Sequence, residues 1–239
     1  MAVKGFAETH LLQRKVVIMT SLDIQGAFDE ACWPAILNSL RNLYNLTRSC
    51  FNDRVAILCA NTYRKEMKVT KGCPQGSCCG LGLWNVLYNA LLDLEFTSHT
   101  KAIAFADDLA KITYGETTSE AEAYTNSDLA KIQNWAKQNK MQFNELKSKT
   151  LLIARKGKRN RENINIYHNN RRLEQVKEMK YLGIYFDNRL NFHKHIEHIT
   201  EKSRKIIYML GKTAKLNWGL GHKPLKTLYE GALVPLMTY

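Results

Sequence analysis

The sequence predicts an α+β fold: an antiparallel sheet with helices gathered on one face, followed by a helical appendage. Three observations predict it. Short apolar runs ending in carboxylates alternate with segments of helical spacing. Two of those runs are adjacent, separated only by Asp107 and Asp108, as in a tight antiparallel hairpin. Beyond Arg189 only helical spacing remains.

The elements follow in order. Lys15 to Asp23 is apolar and β-branched until its terminal carboxylate, which reads as a buried strand. Trp33, Ile36, Leu37, Leu40 and Tyr44 recur at helical spacing, with Pro34 tolerable in a first turn. A glycine-punctuated loop from Lys71 to Gly80 opens a helix whose expected face is Leu83, Leu87, Ala90, Leu91 and Leu94. The strands Ala102–Ala106 and Leu109–Tyr114 then hold Asp107 and Asp108 at their tip. Ser119 and Glu122 are spaced as a capping box for a helix through Leu129, Ile132 and Trp135, after which Thr150–Ala154 returns to strand character. The basic run Arg155–Arg161 marks a loop, followed by a hairpin over Ile164–Leu173 and a strand over Tyr181–Phe186. Phe192, Ile196, Ile199, Ser203, Ile206 and Leu210 define a long helix with a basic face.

At 239 residues the chain can bury a substantial core, and 45% hydrophobic with 24% charged residues excludes the disordered and fibrous classes. Lys plus Arg number 35 against 22 Asp plus Glu, a net charge of +13 that creates a field attractive to polyanions. Nucleic acid is the leading partner on charge. No apolar run approaches the roughly 20 residues a membrane-spanning helix needs, so an intracellular, non-membrane protein is expected. The six cysteines follow no zinc or disulfide spacing and read as reduced, mostly buried thiols. His193, His195, His198 and His222 also fit no metal signature and read as surface residues.

Asp23 at a strand end and Asp107 with Asp108 at a hairpin tip are the acids that could carry chemistry. If their strands are neighbours, the carboxylates converge on one sheet edge. Crowded carboxylates repel, and Mg²⁺ ions would relieve that repulsion while offering octahedral sites open to phosphate. Two such ions suit in-line nucleotidyl transfer.

The flanking words decide the reading. Leu22-Asp-Ile-Gln-Gly-Ala-Phe-Asp29, Gly72-Cys-Pro-Gln-Gly-Ser77 and Phe105-Ala-Asp-Asp108 occur in this order. Together they resemble the reverse transcriptase family. Asn139-Lys-Met-Gln-Phe-Asn144, Lys147-Ser-Lys149 and Met179-Lys-Tyr-Leu-Gly-Ile184 are similar to the non-LTR retrotransposon branch, jockey-like and related arthropod elements above all. The resemblance runs from about Lys15 to the end. It departs from the family at Leu81, where a proline often follows the glycine.

The resemblance implies a polymerase palm over residues 1–154 with only a remnant of the fingers, a hairpin and primer-grip region over 155–190, and partial thumb helices over 191–239, in a domain truncated at both ends. It implies an RNA-directed DNA polymerase using two Mg²⁺ ions, or Mn²⁺, with an RNA template, a DNA primer and dNTPs, in the nucleus and cytoplasm. Asp23, Asp107 and Asp108 would be catalytic metal ligands, joined by the Ile24 carbonyl. Phe28 would be the steric gate against a 2′-hydroxyl, with Gln75, Gly76 and Lys147 completing the nucleotide pocket. Tyr181, Leu182 and Gly183 would belong to the primer grip. The alternative is a catalytically inactive nucleic-acid-binding fragment of such an element.

Overall fold

In the computed structural model the described residues are 2–40, 44–61, 63–74, 76–155, 163–214 and 219–238, with Tyr44 described in its backbone alone. They fall into two compact units, Met1–Lys177 and Glu178–Tyr239.

The first unit opens with helix α1 (Ala2–Leu12) and strand β1 (Val16–Ile24). Short helices α2 (Ala27–Glu30), α3 (Trp33–Ser39) and α4 (Tyr44–Phe51) follow, then a hairpin of β2 (Val55–Ala60) and β3 (Tyr63–Lys68). Next come α5 (Gly80–Leu92), β4 (Thr100–Phe105), β5 (Asp108–Gly115), α6 (Thr118–Gln138) and β6 (Phe143–Ile153). The unit ends with β7 (Tyr167–His168), β8 (Arg171–Arg172) and β9 (Glu174–Val176). The main sheet has the order β4-β5-β1-β6-β9, antiparallel except for the β6–β9 pair.

Strand β1 lies at the centre because its apolar run can be covered on both faces: Val16, Val17, Ile18 and Met19 are all fully buried. Residues three apart on a strand face opposite ways. On β5, Lys111 meets Asp128 of α6, while Tyr114 stacks on His10 of α1. So α6 covers one face, and α1 covers the other over β5. The sequence carried no clear signal for α1, nor for the hairpin β2–β3, whose residues are exposed along both strands. Helix α6 buries Leu129, Ile132 and Trp135 as the periodicity predicts. Its cap differs from the expected Ser119–Glu122 pair: the Thr117 side chain accepts from the Glu120 amide, and Glu120 reaches back to the Glu116 amide. The α5 stripe is also rotated from expectation, onto Gly80, Trp84, Leu87, Tyr88 and Leu91. Strand β6 begins at Phe143 rather than near Thr150.

Of the cysteines, all free, Cys73 is buried and Cys50, Cys59, Cys78 and Cys79 are exposed, so the expectation of mostly buried thiols fails. Four of them stand on exposed turns, helix or hairpin positions that no core covers. The expected hairpin over Ile164–Leu173 exists, with Asn169 and Asn170 both at positive φ in its two-residue turn. The basic run from Lys156 to Arg161 lies outside the described residues.

The second unit begins with the antiparallel pair β10 (Glu178–Tyr181) and β11 (Ile184–Asp187), so the strand expected over Tyr181–Phe186 is instead a hairpin. Its turn is Leu182-Gly183, with φ of 45° and 84°, the two left-handed residues a tight turn of this kind requires. Asp187 accepts from the amides of Arg189, Asn191 and Phe192 and thereby starts α7 (His193–Thr213). Helix α8 (His222–Leu228), a π-helical turn (Tyr229–Leu233) and α9 (Val234–Thr238) complete the unit. No described helix is long and apolar enough to cross a membrane.

Candidate active site

Strands β1 and β5 run antiparallel in a register that makes Asp23 and Asp108 direct partners. Across the next pair, Phe105 partners Asp108, leaving Ala106 and Asp107 as a two-residue turn. Ala106 takes φ 53°, a conformation L-residues adopt reluctantly. The three acids predicted from sequence therefore meet at one sheet edge, as the strand-neighbour argument requires. Burial, then the charges of Asp107 and Asp23, push the Asp108 carboxyl above its ordinary range.

The other side of β1 brings a cation. Between Ser21 and Asp23 the β1–β6 register shifts, Ser21 pairing with Lys149 but Asp23 with Asn144. The extra residues form a bulge, a device that re-aims side chains at strand ends. The Asn144 side-chain oxygen accepts from the amides of Leu146 and Lys147, and Ser148 Oγ accepts from the Asp23 amide at 3.2 Å. Lys147 Nζ thus stands 3.7 Å from Asp23 Oδ2, well exposed. Residues 144–148 carried no strand signal, because a bulged segment breaks the period-two pattern.

The Pro-Gln-Gly loop is stitched to the segment after Asp23. The Cys73 amide donates to the Phe28 carbonyl at 2.7 Å, and the Gly72 amide to the Ala31 carbonyl at 2.8 Å. The Trp33 indole donates to the Gly72 carbonyl at 2.7 Å, and Lys71 pairs with Glu30. Gly72 has φ +96°, and a Cβ there would press on the Asp29 carbonyl at 3.0 Å. Gly76, at φ +77°, faces open space, while Gln75 lies outside the described residues. Phe28 is half-buried with its ring 5.1 Å from that of Trp84. Ile24, buried and paired with Phe143, follows Asp23 directly. Tyr181, Leu182 and Gly183 belong to the second unit, where Tyr181 is buried and the other two form the turn.

Among the described residues no three acidic, histidine or cysteine side chains close around one point to hold an ion. The donor set still fits a divalent cation. The carboxylates of Asp23, Asp107 and Asp108 share one edge, where burial and then the charges of Asp107 and Asp23 raise the Asp108 carboxyl. A hard cation is what such oxygens bind.

With this geometry in place, residues 2–186 match the family described as Reverse transcriptase (RNA-dependent DNA polymerase). The chain belongs to the reverse transcriptase family. Its relatives include a Pol polyprotein of type-1 retrotransposable element R1 from Bradysia coprophila, 29% identical over 95% of this chain and 23% of that protein. A 115 kDa protein in a type-1 retrotransposable element of Drosophila melanogaster is 27% identical over 93% of this chain and 22% of the relative. The RNA-directed DNA polymerase from mobile element jockey of Drosophila melanogaster is 25% identical over 99% and 27%. The chain thus spans about a quarter of the length of these curated relatives. Apo telomerase from Candida tropicalis, truncated from its C-terminal domain, superposes with TM-score 0.57 at 13% identity, over 80% of this chain and 38% of that one. That likeness concerns the fold, a mixed α+β reverse transcriptase architecture consistent with a polymerase palm.

Within this reverse transcriptase chain one site residue escaped the sequence reading. Trp84 is fully buried in α5, donates its indole N–H to the Ala106 carbonyl at 2.9 Å and packs on Phe28. A buried tryptophan needs a partner for its N–H, which was the available signal.

Proposed function

We propose that this chain is the polymerising core of an RNA-directed DNA polymerase that adds dNTPs to a DNA primer on an RNA template. The observation that carries this reading is the register placing Asp23 opposite Asp108, beside the Asp107 turn. In the reaction the primer 3′-oxygen bonds to the α-phosphorus, its proton passes to solvent, and the bond to the departing pyrophosphate breaks. Asp23, Asp107 and Asp108, with the Ile24 carbonyl, would hold two Mg²⁺ ions. Bound there, divalent cations supply charge stabilisation for the attacking and leaving oxygens.

The remaining roles belong to the chain. Phe28 lies beneath the sugar and excludes a 2′-hydroxyl by bulk. Gln75 and Gly76 line the nucleotide and template side of the pocket. Lys147 offsets charge on the triphosphate or the departing pyrophosphate. Tyr181, Leu182 and Gly183 form a primer grip, and the basic face of α7 tracks the duplex backbone without reading sequence. The palm occupies residues 1–154, the grip region 155–190 and the thumb helices 191–239. The working compartments are the nucleus and cytoplasm, as a retrotransposon enzyme requires.

Primer extension on an RNA template with Mg²⁺ and labelled dNTPs tests this reading. The chain should extend the primer, and the Asp107→Asn, Asp108→Asn double variant should lose incorporation by at least a thousandfold, the order expected when preorganised charge stabilisation is removed. Binding of primer–template without incorporation by either form would sink it.

A further inference from the structure

Trp84 touches both halves of the site: it donates to the carbonyl of Ala106 and packs on the ring of Phe28. Its surroundings leave it little freedom. It is fully buried, stacks on Tyr88 at 5.2 Å, and stands one turn into a helix whose start is locked by the Pro-Gln-Gly loop. The loop is held by Ser77 Oγ, which donates to the Pro74 carbonyl at 2.8 Å and accepts from the Gly80 amide at 3.0 Å.

What Trp84 holds needs holding. Ala106 sits at φ 53° with a Cβ, a strained conformation that persists only where its surroundings impose it. The turn is otherwise exposed on Phe105, Ala106 and Asp107. A buried donor on the Ala106 carbonyl therefore restrains the exposed side of the turn that carries Asp107, beside the strand pairing that already holds Asp108. The same indole packs against the Phe28 ring, 5.1 Å between centroids.

We propose that Trp84 is the positioning residue of this site, coupling the Asp107–Asp108 turn to the Phe28 sugar gate. The inference rests on the polymerase reading above. It separates two consequences. Loss of the N–H alone loosens the turn, whereas loss of the aromatic wall also releases Phe28.

The test compares Trp84→Phe and Trp84→Leu with the unsubstituted chain. Amide hydrogen exchange, followed by NMR, reports on the turn without any catalysis. In W84F the amides of Asp107 and Asp108 should exchange about tenfold faster, the equivalent of one net hydrogen bond, while those of Ile112 and Thr113 are unchanged. In primer extension W84F should lower kcat about tenfold and raise the Mg²⁺ needed for half-maximal rate. Its KM for dNTP and its preference over ribonucleotides should be kept. W84L should in addition lose about tenfold of that preference; if W84L does not fold, W84F alone decides. Unchanged turn exchange in W84F overturns the inference even if the chain polymerises. An unsubstituted chain that never extends a primer overturns the polymerase reading, and this inference with it.

Discussion

The role proposed for Phe28 would rest on position rather than chemistry. Its carbonyl is tied to Cys73 of the Pro-Gln-Gly loop, and its ring packs on Trp84, which restrains it at the start of α2. Phe28→Val should leave dNTP incorporation within a few-fold and relax discrimination against ribonucleotides by roughly 10–100-fold, the range that pocket sterics provide. Paired kcat/KM measurements with dNTPs and rNTPs check it; an unaltered ratio would show that the ring serves the core. Asp23, Asp107 and Asp108 were legible as residues because carboxylates at strand ends and turn tips stand out against apolar runs. Lys147 was legible only as part of a word. Its approach to Asp23 depends on the β6 bulge, which no periodicity announces.

At the scale of elements, the join between the Pro-Gln-Gly loop and α5 is the tightest place in the site. A Cβ on Gly80 would lie 2.1 Å from the Pro74 carbonyl, which is backbone and cannot yield cheaply. Gly80→Ala should cost about 1–3 kcal/mol of stability, the usual range for overpacking, and reduce incorporation because α5 carries Trp84. Urea unfolding alongside primer extension would reveal it, and a variant as stable as the parent would refute the packing argument. The absence of the family's proline at Leu81 has no visible effect, since α5 begins at Gly80 regardless. Helix existence was readable from spacing, but the buried stripe of α5 was not. Its rotation toward Trp84 and Tyr88 is set by what the sheet and Phe28 offer it.

At the scale of the whole molecule, the sheet that carries the acids is pinned to α6 by a buried ion pair far from solvent. Lys111 and Asp128 are both fully buried, 3.8 Å apart, with Lys111 donating to Thr113 and Asp128 accepting from Thr97. Burial pulls the Lys111 ammonium down to about 7, with Asp128 opposing. Burial works to raise the Asp128 carboxyl, but hydrogen bonds from Thr100 and Thr97 and the Lys111 charge hold it below its ordinary range. The folded lysine thus releases its proton more readily than the unfolded one, whose value lies near ~10.4. Between about pH 7 and that value the unfolded chain binds more protons, so this residue's contribution raises stability as pH rises. Below pH 7 its penalty is fully present. Lys111→Met should remove that slope in urea unfolding measured across the window. Asp128→Asn should cost about 3–5 kcal/mol at pH 6, where the lysine is charged and loses its main partner. Equal pH slopes in parent and Lys111→Met would count against the pair.

The sequence by itself determined the family, the α+β class, the acids and the order in which the motifs arrive, because these depend on local composition and on words that need no neighbours. It also predicted the core of α6 and the hairpin that presents Asp107 and Asp108. Only the tertiary structure decided that α1 covers the opposite sheet face, that a bulge turns Lys147 toward Asp23, and that Trp84 joins Phe28 to the turn. Each of these is a contact between segments distant in the chain. Periodicity tells which side of an element is apolar, but strand register and helix rotation are chosen by the neighbours that bury it.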